Sequence, residues 1–195
     1  MADEVTIDGS TIRTARVRLR PWHEDDAPAA LEIYGSTEVS RWLAPAMEQV
    51  TDVDSMRATI SSWLATPSGP AGRASGRWAV EEIESGRLAG SAQILPLPPE
   101  GEDLEVGYQL APWAWGRGLG SEAGHALAHY AFANGEEEIF AVVRPQNEHG
   151  IHAARRIGMD WVGETEKYYG LRLQVYRLRN SDLDVSLLNP SPLER

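Results

Sequence analysis

The run Trp115-Gly116-Arg117-Gly118-Leu119-Gly120-Ser121-Glu122-Ala123 concentrates the chain's capacity for chemistry. Alternating glycines let a backbone curl with its N–H groups pointing inward, and a helix that follows adds the positive end of its dipole. Together they cradle a pyrophosphate. A side chain at Gly118 or Gly120 would occupy the space and backbone angles such a cradle needs. The bland alternative is a glycine turn leading into a helix. Gly118-x-Gly120-x-x-Ala123 also fits the Gly-x-Gly-x-x-Gly/Ala fingerprint of dinucleotide binding. Its context argues against that fold, because Ala111 to Arg117 separate the preceding strand from the glycines. Glu136, Glu137 and Glu138 also precede the next strand, where a ribose-binding acid would end it. His125 and His129 lie four apart and His149 and His152 three apart, spacings that can hold a metal on a helix face. Residue 126 is Ala126 rather than the glutamate of a His-Glu-x-x-His site, and the chain has no cysteine, so no metal is expected.

These residues need elements to position them. Ala27, Ala30, Leu31 and Tyr34 recur at helical spacing behind Glu24, Asp25 and Asp26, which suit a helix N-terminus. Val53, Met56, Ile60, Trp63 and Leu64 mark a second helix over 52–65, ended by the proline- and glycine-rich stretch from Thr66 to Gly76. Trp78 to Ile83 and Leu88 to Leu95 read as strands joined by a hairpin-like turn. From Leu104 to Leu110 the sequence alternates, with Leu104, Val106, Tyr108 and Leu110 on one face and Glu105, Gly107 and Gln109 on the other. A helix from about Ser121 to Asn134, a strand at Ile139 to Val143 and a helix from Asn147 to Ile157 follow the glycine loop. Strands near Trp161 to Tyr168 and Leu171 to Leu178 end the pattern. The expected fold is α/β (α+β): a mixed, mostly antiparallel central sheet of six to seven strands flanked by about four helices. Residues 13–180 form the domain, 1–12 a mobile N-terminal segment and 181–195 a C-terminal tail.

Composition bounds the function. At 195 residues with 42% hydrophobic and 24% charged residues, the chain resembles ordinary globular domains. No stretch approaches the roughly 20 apolar residues that span a bilayer, and Met1-Ala2-Asp3-Glu4 does not begin a signal segment, so a cytoplasmic protein with no membrane partner is expected. Eighteen Lys and Arg against 29 Asp and Glu leave a formal charge of −11. A chain this acidic repels nucleic-acid phosphates in general, and its excess of acids suits either plain solubility or a cationic or amine-bearing partner.

The order of these pieces resembles the GNAT N-acetyltransferases, in particular the branch typified by ribosomal-protein N-terminal acetylases. The resemblance covers roughly residues 15–180. It is carried by Arg18-Leu19-Arg20-Pro21-Trp22 with Glu24-Asp25-Asp26, by Glu105-Val106-Gly107-Tyr108-Gln109-Leu110, by the glycine loop, and by Asn147 eleven residues before Gly158-Met159. It implies acetyl-CoA as acyl donor and an amine of a protein N-terminus or small molecule as acceptor; a homodimer is compatible with it. Backbone amides from Arg117 through Gly118, Leu119 and Gly120 to Ser121 would hold the pyrophosphate. Gln109 and Leu110 would pair with the pantetheine arm, and Asn147 would contact the cofactor near its thiol. Two family residues that serve the departing thiolate are missing: a tyrosine four residues before Gly158, here Ala154, and a serine three residues after Asn147, here Gly150.

Acyl transfer to an amine needs a base, because the amine is mostly protonated near neutral pH. Glu105, on the polar face of its strand, is the candidate. Tyr168, Tyr169 and Tyr176 lie on the last strands, where a phenol could donate a proton to the thiolate or line the acceptor site, and Tyr169 is taken as the catalytic candidate. Arg144, Arg155 and Arg156 could neutralise cofactor phosphates, with Arg156 taken as the binding candidate. The competing function is a non-catalytic module that binds acyl-CoA without turnover.

Overall fold

A computed structural model describes residues 5–43, 47–65, 73–98 and 101–183. The chain opens with three short strands, β1 (Thr6–Asp8), β2 (Thr11–Arg13) and β3 (Val17–Arg20). A 3-10 turn at Glu24–Asp26 leads into helices α1 (Ala27–Tyr34), α2 (Thr37–Leu43) and α3 (Val53–Ala65). Strands β4 (Gly76–Glu82), β5 (Leu88–Pro96) and β6 (Leu104–Leu110) follow, then helix α4 (Leu119–Ala133), β7 (Glu138–Val143), helix α5 (Glu148–Ile157), β8 (Asp160–Thr165) and β9 (Leu173–Arg179). The strands form one sheet in the order β1-β2-β3-β4-β5-β6-β7-β9-β8. Every neighbouring pair is antiparallel except β6 and β7.

The class is as expected, but the sheet has nine strands rather than six to seven, and five α-helices rather than about four are described. The strands with no counterpart are β1, β2 and β3; the first two, three residues each, fall largely within the stretch read as a mobile segment over 1–12, and β3 has only four residues. Strands this short carry too few residues to show a period of two. The hairpin of β1 and β2 turns at Gly9, whose φ of 58° is a left-handed value that suits glycine. Helix α2 was missed because seven residues give barely two turns of pattern. Of the expected tail, residues 181–183 are described and 184–195 lie outside the described residues, as do 1–4 and most of the loop after α3.

The two faces of the sheet pack differently. On one, Val17, Leu19, Trp78, Val80, Ala92, Ile94, Leu104 and Val106 bury against Ala123, Ala126 and Leu127 of α4. On the other, Ala79 meets Ala27, Ile33 and Tyr34 of α1 and Met56 and Ile60 of α3. The motif Arg18-Leu19-Arg20 with Asp26 ties these layers together. Arg20 makes a bidentate pair with Asp26, at 2.9 and 2.7 Å, and also reaches Glu81 at 3.1 Å, while Arg18 bonds Glu81 at 2.6 Å. Burial alone would push the Asp26 carboxyl up, but the Arg20 guanidinium and the His23 N–H hold it below its ordinary value.

What positions the site is the one parallel pair. Strands β6 and β7 share a single register pair, Glu105 with Phe140, and the sheet opens between them into a cleft. Among the described residues no helix is long and apolar enough to cross a membrane.

Candidate active site

The cleft has a volume of about 430 Å³. Its walls come from β6 on one side and from the end of β7 and helix α5 on the other, with the glycine loop and the N-terminus of α4 at one end and α2 at its mouth. Most of the expected site residues meet there. Glu105, Gln109 and Leu110 line it from β6, Gly118, Gly120 and Ser121 from the loop and α4, and Asn147, Arg156 and Tyr169 from the far side. Arg117 and Leu119 do not. The Arg117 guanidinium turns away to Glu82 at 2.5 Å, and the Leu119 side chain is buried in the core. Their expected role was through backbone N–H groups, which these side-chain positions leave unaffected.

The two glycines of the cradle do different things. Gly118 is the N-cap of α4 in a left-handed conformation, φ 78°, and makes no side-chain cap, so the first amides of the helix remain available to a ligand. Gly120 is helical, and a Cβ there would come within 3.2 Å of Leu110 and of the Tyr108 ring. Its smallness lets α4 lie close on β6, so the space it saves is on the sheet side of the helix.

A pair of ionic contacts holds the loop from both sides. Arg16 donates to the Arg117 carbonyl at 2.9 Å and bonds Glu122 through Nε at 2.6 Å. Glu122, buried in the first turn of α4, also accepts from the Arg16 backbone N–H at 2.9 Å and the Thr14 hydroxyl at 2.5 Å. On the other flank Arg117 bonds Glu82, itself held by the Ser85 hydroxyl at 2.6 Å. Partners 106 and 35 residues apart carry no local signal, and the sequence reading found neither contact.

At the base of the cleft the Tyr169 hydroxyl donates to Glu105 Oε2 at 2.8 Å. Burial pushes the Glu105 carboxyl up to about 7, against the opposing pull of that hydrogen bond. Tyr169 is held in place by an unusual backbone. Its φ of 56° and that of Gly170, 65°, with Leu171 N–H donating to the Tyr168 carbonyl at 3.2 Å, describe a turn of the I′ kind. A tyrosine in that conformation costs roughly 1–3 kcal/mol, which the surrounding contacts must offset. The other candidate tyrosines bond elsewhere, Tyr168 to Asp103 at 3.2 Å and Tyr176 to Gln174 at 2.8 Å.

Asn147 caps α5, its Oδ1 accepting from the Gly150 N–H at 3.1 Å. This cap explains the missing serine: a Cβ at 150 would come within 2.9 Å of both Asn147 Nδ2 and Val143 Cγ1. The charged residues lining the cleft are Arg41, Arg144 and Arg156 against Glu105 alone, the reverse of the balance of the whole chain. Three cations around helix-terminus amides suit a ligand with several phosphates. The residues therefore fit coenzyme A. Arg41 was not singled out because its helix, α2, was not. Among the described residues there is no group of three or more His, Asp or Glu placed to hold a metal.

The sequence profile of the acetyltransferase (GNAT) domain matches residues 16–160. The chain is 26% identical over 170 residues to the N-acetyltransferase p20 of Bacillus licheniformis, covering 85% of this chain and 93% of that one. It is 29% identical over 105 residues to the protein YkkB of Bacillus subtilis strain 168, a match spanning 53% of this chain and 60% of YkkB. Its fold is shared with Mycobacterium smegmatis RimJ, solved in complex with CoA-disulfide, at a TM-score of 0.72 and 21% identity over 88% of this chain and 86% of that one. With a profile match over most of its length and a fold to agree, the chain belongs to the GNAT acetyltransferase family.

Proposed function

We propose that the protein transfers an acetyl group from acetyl-CoA to the primary amine of a protein N-terminus or small molecule, with Glu105 as the base. The observation that carries this reading is the Glu105 carboxyl at the point where β6 parts from β7, with a proton affinity near neutral. A general base works best when its pKa lies near the working pH. Acetyl-CoA supplies the thioester whose carbonyl the amine attacks. Glu105 accepts the ammonium proton, directly or through water, and frees the nitrogen lone pair; the C–N bond forms as the C–S bond breaks, and the second proton shed by the new amide nitrogen goes to the departing CoA thiolate. Tyr169 orients the carboxylate by donating to Oε2. The amides from Arg117 to Ser121 hold the pyrophosphate, Arg156 sits toward the phosphates, Gln109 and Leu110 flank the pantetheine arm and Asn147 stands near the thiol. A module that only binds acyl-CoA has no use for a buried carboxyl tuned in this way, so transfer is the better reading.

Glu105→Gln keeps the shape and removes the basicity. Steady-state release of CoA at neutral pH, measured over a panel of amines and N-terminal peptides, should fall by roughly 10²-fold, the usual contribution of a positioned base. Raising the pH should rescue the variant in part, because more amine is then already deprotonated, while calorimetric affinity for acetyl-CoA barely moves. Wild-type rates in the variant, with a verified acceptor, would show that Glu105 is structural.

A further inference from the structure

The face of the sheet that carries Glu105 also carries a cation with no carboxylate partner among the described residues. Arg77 of β4 pairs in register with Gln93 of β5, which pairs with Gly107 of β6, so the three lie abreast on the face that carries Glu105. Gln93, Gly107 and Glu105 line the cleft, and Arg77 is the next residue out along that row. Gly107 keeps the row low: a Cβ there would meet the Gln93 amide at 3.3 Å.

The partly buried strand arginines Arg18, Arg20 and Arg177 each have a carboxylate partner, in a chain with a large excess of acids. Arg77 has none among the described residues. What it has is aromatic. Its guanidinium stands 5.8 Å from the Trp63 ring centroid, and Trp63 in turn packs on Trp22 and Tyr34, each at 5.5 Å. Burial lowers its proton affinity, opposed by the phenols of Tyr34 and Tyr169. A guanidinium has five donors in a planar fork, and in the half-buried Arg77, with no carboxylate beside it, that fork is left to water. An oxyanion in the acceptor would satisfy that fork in two-point fashion.

We propose that Arg77, backed by Trp63 and flanked by Gln93, anchors an oxyanion of the acceptor, so that the substrate is an amine that also carries a carboxylate or phosphate-type group several bonds from the reacting nitrogen. This rests on the acetyl-transfer reading and deepens it. Two strand spacings and two residues of rise put the Arg77 and Glu105 Cα atoms about 12 Å apart. Their side chains project from the same face into that gap, so the nitrogen and the anion must be separated by a short chain. Arg144 and Arg156, the cations read as facing the donor's phosphates, line the cleft beyond β7 and away from this row.

The test is a series of ω-amino acids of two to six carbons, each paired with its amide, and a parallel series of ω-aminoalkylphosphonates paired with the plain alkylamines. CoA release is followed with saturating acetyl-CoA, and the readout is the ratio of kcat/KM within each pair. The wild type should favour the anionic member about 10-fold or more at an intermediate length, mainly through KM. Preference in the carboxylate arm or in the phosphonate arm identifies which oxyanion is bound. Arg77→Gln should collapse that ratio toward one and Arg77→Lys should retain part of it, whereas a purely structural lesion lowers both members alike and leaves the ratio intact. Calorimetric titration of the same amino acids into CoA-loaded wild type and Arg77→Gln reads the anchor without turnover. Transfer to amines with no anionic preference in either arm overturns the anchor and leaves acetyl transfer standing. Arg77-dependent binding with no transfer to any amine does the opposite.

Discussion

The pairing of Glu105 with Tyr169 sets two opposed effects at a single carboxyl. A carboxyl raised to about 7 binds its proton more tightly in the folded protein than in the unfolded chain. Its contribution to stability is therefore fully present below the ordinary glutamate value and is lost as the pH climbs from there through 7. Glu105→Gln removes that penalty, so its melting temperature should exceed that of the wild type by a few degrees at pH 8, and the two should converge at pH 5, where Glu105 is protonated and neutral. A melting-temperature gap that is the same at both pH values would mean that the carboxyl does not titrate in that window. Tyr169 modulates the same group. Its hydrogen bond favours the carboxylate, so Tyr169→Phe should move the rising limb of the pH–rate profile to higher pH while the plateau rate changes less. A profile displaced to lower pH would contradict the assigned donor and acceptor.

At the scale of elements, the glycines of the loop separate into backbone and packing roles, and substitution should separate them too. Gly118→Ala spares the contact of α4 with β6 but forces a left-handed φ on an L residue and sets a Cβ 3.3 Å from the Arg16 guanidinium, at a backbone cost of roughly 1–2 kcal/mol concentrated in the loop. Its signature should be a raised KM for acetyl-CoA with a modest loss of melting temperature. Gly120→Val drives branched carbons at Leu110 and Tyr108 and should lower the melting temperature more than Gly118→Ala does. The sequence assigns Gly118 and Gly120 the same cradle role, and the direction of the Gly120 Cβ separates them. Much of the rest was legible. The strict alternation from Leu104 to Leu110 located β6 to the residue, because a half-buried strand writes its two faces into its sequence. The helix start at the glycine loop and the placement of Glu105 on the cleft wall followed from the same kind of local pattern. What was not legible was either too short to have a period, as in β1, β2 and α2, or depended on partners distant along the chain. Arg16 reads as one more surface arginine until Glu122 stands beside it. Arg77 reads as a strand residue until the register places it in a row with Gln93 and Gly107.

For the whole molecule, the contrast between a chain of net charge −11 and a cleft lined by three arginines and one glutamate makes the donor site a local inversion of the global field. Arg156→Gln should raise the KM for acetyl-CoA several-fold at low ionic strength, and the ratio of variant to wild type should narrow as salt is added, since partly exposed charges are screened over roughly 10 Å at 0.1 M. An unchanged ratio from low to high salt would place Arg156 outside the phosphate site. The inner framework of that site is the contact of Arg16 with Glu122 and the Arg117 carbonyl, joining segments 106 and 101 residues apart. Such closure is slow relative to local contacts, because the loop entropy is lost before the contact returns anything. A loop held by contacts this distant along the chain is expected to be completed late in folding and released early in unfolding. Acetyl-CoA should accordingly leave the refolding rate almost untouched while slowing unfolding in proportion to its occupancy, so the donor acts as a latch on the finished protein rather than a template for making it.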